Sequence, residues 1–312
     1  KWDSPKNNYY RLWLMINWHN LKVKLPTYNS FFLNKNLTDY VISNLIFNKF
    51  NWQLFKNIKI QINVIQSINY QLFVLRVVRN NFGFLGLFIE PFGTLLIFIL
   101  IRILISQGNQ IANLDNILFL STGILYVYNF RMIAIVPNIS YLSFSSLFNF
   151  RQIKPIDLFI SCAFFEGVLI VILYLITILF VFFIRGQIII SNIGLLIFAF
   201  FLLVIFNFSV SLFLRYFCYL VPFFKNFLTW ISRVLFFISG TFFPLSSLPS
   251  FIKPYLSWNP ILQSIELSRK SLDINYILDP YISLRYLVIS VTTFLLFSIV
   301  IYGYAESNLI KK

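Results

Sequence analysis

Six long apolar runs dominate the chain, at 87–105, 117–136, 158–184, 192–214, 227–243 and 284–304. A helix needs about 20 mostly apolar residues to cross the hydrocarbon core of a bilayer. Inside that core every backbone polar group must be satisfied within the segment, so a run of this kind spans as a helix. Only 11% of the residues are charged, against about 25% in a soluble domain. The sequence therefore predicts an all-α integral membrane protein with six transmembrane helices.

Charge then sets the sides. The net charge is +15. In a soluble protein that would point to nucleic acid; between membrane spans it reports loops facing anionic lipid, and no nucleic-acid partner is expected. Six spans place both termini on one side, and loops on that side hold about 17 of the 25 basic residues. The positive-inside rule puts both termini in the cytosol. Cys162 and Cys218 fall in or beside apolar runs and read as small buried residues, with no disulfide or metal pair.

Residues 1–60 lack a span-length run and carry eight Lys and one Arg against two Asp. They read as a cytosolic extension, partly disordered or lying on the inner leaflet, ahead of a membrane domain at 61–312. His19, the only histidine, reads as a surface residue. At 61–83 apolar residues recur every three or four positions and Arg76 and Arg79 close the segment, the pattern of an amphipathic helix at the inner interface. Gly83 and Gly86 allow a change of direction into the first span, where Glu90 sits at the inner boundary and Pro91 near the helix start.

The fifth run does not end in a charged loop. Gly240 and Pro244 break it, yet apolar character continues to Trp258 through Pro249 and Pro254, with Pro260 just beyond. Broken backbone at membrane depth is tolerated only where protein or a water-filled cavity supports it. The expectation is a re-entrant segment of short helices in the outer half of the membrane, narrowing an exit. The alternative is an amphipathic hairpin on the surface.

Four stretches carry a family resemblance: LRVVRNNFGFLGLFIEP at 75–91, LFNFRQIKPIDLFISCAFFE at 147–166, FFISGTFFPLSSLP at 236–249 and WNPILQSIELSR at 258–269. In this order they resemble the permease subunit of ABC-2 type exporters, in the capsular polysaccharide export branch of Gram-negative bacteria. The resemblance covers the chain from about Val64 onward; the long extension and Asn80-Asn81 depart from it. It implies a homodimer of permeases with two ATPase subunits in the inner membrane, a polysaccharide substrate, and periplasmic and outer-membrane export proteins as further partners. It also implies coupling to the ATPase through the loop bearing Arg151, Lys154, Pro155 and Asp157, and an outer gate at Gly240, Pro244, Asn259, Pro260, Glu266 and Arg269. The alternative reading of Arg151 and Lys154 is that they anchor the loop at anionic headgroups. The chain contains no GxxxxGK[ST] phosphate loop, so ATP and Mg are expected on the partner and no cofactor on this chain.

Charges inside spans are costly and usually face the bundle interior. Arg131, Glu166 and Arg233 fall at similar depth near the inner ends of spans two, three and five. Glu166 is expected to pair with Arg131 or Arg233; alternatively each base snorkels separately to phosphates. Tyr126, Tyr128, Tyr174 and Tyr216 read as interface anchors more readily than as sugar-stacking residues. Two rival functions stay open: an ABC-2 permease for O-antigen, teichoic acid or a drug, and a membrane-embedded glycosyl- or acyltransferase. The second needs paired carboxylates, or a His with a carboxylate, whereas the ten acids here are scattered.

Overall fold

The computed structural model describes residues 58–77, 83–106, 114–150, 152–186 and 190–310. The extension up to residue 57, Arg79 and Arg151 lie outside the described residues. The chain divides into two units, Lys1–Ile58 and Lys59–Lys312, and the helices described below build the second.

Helix α1 covers 58–77. Val64, Ile68 and Leu72, four residues apart, form its buried stripe, while Tyr70 on the other face is 72% exposed. Ile62 and Leu75 are exposed. Gly83, with φ +55°, opens a short 3-10 turn to Leu85, and α2 follows at Gly86–Ser106. Next comes α3, which runs Asn116–Phe130, passes through a π-helical turn at Arg131–Ile135 and closes with an α turn at Val136–Ile139. A 3-10 segment, Tyr141–Asn149, leads to the long α4, Pro155–Arg185, and then to α5, Ile193–Leu220.

Among the described residues, five helices are long and apolar enough to cross a membrane: α2, α3, α4, α5 and the last helix, α9 at Leu284–Ile310. The fifth apolar run is shorter than a span as a helix. It forms α6 only over Phe224–Ile238, about 22 Å at 1.5 Å per residue. Gly240 ends it at φ +69°, a conformation that a side chain would strain. Beyond lie a 3-10 turn at Leu245–Ser247 and two helices, α7 at Lys253–Ser257 and α8 at Pro260–Leu272.

Burial ranks the helices. In α3 the apolar window is 89% buried, whereas in α2 and α9 it is 17% buried. Helix α3 is thus the central post: it packs on α2 and α4 through Leu95, Phe119, Leu125, Ile170 and Leu173, and on α5 and α8 through Tyr126, Phe130, Leu203, Leu262 and Ile265. Apolar packing alone gives little net drive inside lipid, so interhelical polar contacts matter there. Asn207 on α5 donates to the Asn129 side chain on α3 at 3.0 Å, and Asn129 donates to the Glu166 carbonyl on α4 at 3.4 Å. Asn138 donates to the Ser211 carbonyl at 3.0 Å.

Candidate transport site

Two ionic clusters lie at opposite ends of α3. The first is sealed. Arg269 on α8 is fully buried, and its five N–H groups all find acceptors. Nε donates to Thr122 at 3.2 Å, Nη1 to the Gly240 carbonyl at 2.8 Å and to Glu266 at 3.0 Å, and Nη2 to the carbonyls of Phe119 at 3.0 Å and Thr241 at 3.2 Å. Glu266 sits one helical turn before Arg269 and is also fully buried, and Tyr276 donates to its second oxygen at 2.9 Å. A glycine permits the approach of the loop: a Cβ at Gly123 would lie 2.8 Å from Thr241 Cα and 2.9 Å from Arg269 Nη2.

Of the expected outer-gate residues, Gly240 and Glu266 meet Arg269. Asn259 caps α8 by accepting from the Ile261 N–H at 3.0 Å and donates to Ser239 at 3.1 Å, with Pro260 in the first helical turn. Pro244 leads into the Leu245–Ser247 turn. The sequence reading missed four partners here. Thr122, Phe119 and Tyr276 serve the two charges, and the buried Gln263 ties α8 to the carbonyls of Ser257 at 2.8 Å and Tyr281 at 3.0 Å. Arg269 lies in the last turn of α8, and nothing in its spacing from Phe119 and Thr122 signalled these contacts.

The second cluster is open. Glu166, nearly fully buried on α4, pairs with Arg76 of α1. Arg76 also lies over the Phe165 ring, 5.5 Å from its centroid. Arg131 pairs instead with Glu90 at 2.8 Å, and Tyr128 donates to the same carboxylate at 3.3 Å. Arg233 lies 5.4 Å over Trp230 on its own helix. The expected link of Glu166 with Arg131 or Arg233 is thus replaced by Arg76–Glu166 and Arg131–Glu90. Depth along the spans placed these charges on one level, but α1, which folds back against α4, supplied the nearer cation.

Near this end of α3 the loop from 140 to 157 is anchored from several sides. Asp157 is fully buried and accepts from the Lys154 backbone N–H at 2.8 Å and from the Gln61 side chain. It caps α4 and ties α1 to it, so it is not an exposed docking charge; Pro155 occupies the first turn of the same helix. Lys154 is exposed and Phe150 is 63% exposed. Tyr141 begins the 3-10 segment, and the buried Arg215 of α5 stacks 3.5 Å over its ring. Nothing in the spacing of Arg215 signalled that contact. Tyr126 is 1% exposed and donates to Ser268 at 2.9 Å, and Tyr174 is buried as well, so neither is an interface anchor.

Between α2, α3 and α6 opens a cavity of about 420 Å³, walled by Phe98, Ile124, Val127 and Phe236 and carrying Arg131 and Arg233. A second, of about 330 Å³, lies beside Arg76, Glu90 and Met132, and Tyr128 lines both. Fold and cavities define a class: an all-helical membrane protein whose charges line spaces beside its spans. No family model matches the chain. Two curated sequences, each named polysialic acid transport protein KpsM and each from Escherichia coli, are 28% identical to it over 251 residues, 79% of this chain and 96% of each relative. The resemblance to ABC-2 type permeases of the capsular polysaccharide export branch, read from four stretches, is borne out over most of the chain.

Proposed function

We propose that the chain is the permease subunit of an ATP-driven exporter that moves a capsular or related surface polysaccharide across the bacterial inner membrane. The observation that carries this reading is the near full-length likeness to a protein named for polysialic acid transport. The cavity beside three helices supports it, because a conduit needs polar groups reachable from between spans. The working unit is two copies of the chain with two ATPase subunits, which bind ATP and Mg; periplasmic and outer-membrane export proteins continue the route.

In this reading the membrane is crossed six times and both termini are cytosolic. The five long helices make five crossings. Helix α6 makes the sixth together with the broken segment, because 15 residues fall short of a core about 30 Å thick. Helix α1 lies at the inner interface, held to α4 by Arg76 and Glu166. The 3-10 segment and Lys154 face the ATPase, and a groove of about 480 Å³ between α1 and Leu147, Phe150, Gln152 and Ile153 lies beside them. The Arg269 cluster fixes the outer segment as a rigid rim rather than a hinge, since every donor of the guanidinium is used.

Inverted membrane vesicles containing the chain and its ATPase subunit test the proposal. Labelled capsular polysaccharide should enter them only with ATP and Mg present. Uptake without ATP, or ATP-dependent uptake of a small drug in place of polysaccharide, would refute it.

A further inference from the structure

The cavity between α2, α3 and α6 combines apolar walls with an excess of positive charge. Arg131 and Arg233 both line it and both are exposed. Glu90 neutralises Arg131 at 2.8 Å. Among the described residues no carboxylate reaches Arg233, whose one ring contact is Trp230 on its own helix. Thr229 and Ser232 complete a polar stripe along this face of α6, and Thr94 faces it from α2.

An exposed guanidinium on a wall of Phe98, Ile124 and Phe236 is costly against acyl chains and stable against water or an anion. A symmetric second copy cannot neutralise it with the same patch. In a two-fold interface the patch meets itself, which brings a second Arg233 and a second neutral Arg131–Glu90 pair, hence two uncompensated positive charges. Like charges placed across a contact repel and disfavour it. A like copy at this face therefore leaves the space cationic.

Resting on the export reading, we propose that this groove selects an acidic polysaccharide, with Arg233 as its free carboxylate-binding group and Arg131 as a second, released from Glu90 when cargo is present. A planar guanidinium donates two parallel N–H···O bonds to a carboxylate, and the apolar ring faces beside it receive the sugar faces. Carboxylates repeated along a polymer would pass from one arginine to the next without a sequence-specific fit.

The permease and its ATPase subunit, reconstituted in liposomes of neutral lipid, provide the test. The probes are a sialic acid oligomer and a dextran oligomer of equal length, and the readout is stimulated ATP hydrolysis. The acidic probe should stimulate and the neutral one should not. Arg233→Gln should raise the half-saturating concentration of the acidic probe about tenfold, Arg233→Lys should recover part of the loss, and added salt should weaken the wild type more than Arg233→Gln. Equal response to both probes leaves the export reading standing and overturns the charge selection. So does an unchanged half-saturation in Arg233→Gln, or dissociation of the dimer by that substitution, which would make Arg233 a contact between copies. A parallel loss of stimulation on adding anionic lipid alone would assign Arg233 to headgroups and overturn it too. No response to either probe removes the export reading and this inference together.

Discussion

The Arg269 guanidinium lies 3.4 Å over the centroid of the Phe119 ring while bonding the Phe119 carbonyl at 3.0 Å. One side chain thus clamps α8 to the beginning of α3, and through Gly240 and Thr241 it holds the bend after α6 in the same place. The broken segment is fixed by a charge that has no exposure to water.

Arg269→Met should destabilise the protein strongly, because Glu266 would be left as an uncompensated buried charge, a loss of about 3–5 kcal/mol. Arg269→Lys should fare little better, since an ammonium offers three donors where five acceptors wait. Thermal unfolding in detergent measures both. An unchanged midpoint for Arg269→Lys would show that the fork geometry is dispensable.

Gly123→Ala should cost about 1–3 kcal/mol through overpacking. Its new methyl group would meet Thr241 Cα, a backbone atom that cannot rotate away. Gly93→Ala, where a Cβ meets nothing within 4 Å, is the control and should be neutral. Equal midpoints for the two variants would refute the close contact.

Glu166→Gln and Arg76→Gln should share a phenotype, since each removes one half of the link between α1 and α4. A spin label at the exposed position 70 should become more mobile in either variant, and the exchange Arg76→Glu with Glu166→Arg should restore part of the order. Equal mobility in wild type and variants would mean that α1 is held by its apolar stripe alone.

Lys154→Glu should lower export while leaving the amount of permease in the membrane unchanged, because the side chain is exposed and the cap of α4 uses its backbone. Asp157→Ala should instead lower stability by about 1 kcal/mol through loss of the cap. Normal export by Lys154→Glu would leave that lysine a headgroup anchor.

A cysteine at the exposed position 150 should react with impermeant maleimide only from the cytosolic side. The native Cys162 and Cys218 are buried and should stay silent. Labelling at position 150 in intact cells would reverse the topology.

Residue pattern alone determined the class of this protein. The long apolar runs have one solution in lipid, the helix, because no water is there to satisfy the backbone. The break at Gly240 was readable for a similar local reason, since it depends on residues within a turn or two of one another. The four stretches of family likeness were readable as well. Pairing was not. Depth along a span says how far a charge lies from the surface but not which neighbour it faces, so Glu166 was assigned to Arg131 or Arg233 and found Arg76. Only the tertiary structure brought Phe119, Thr122 and Tyr276 to Arg269 and Glu266, and put Arg215 on Tyr141. Those contacts join residues far apart in sequence, and their energies depend on an approach of about 3 Å that periodicity and hydropathy do not encode.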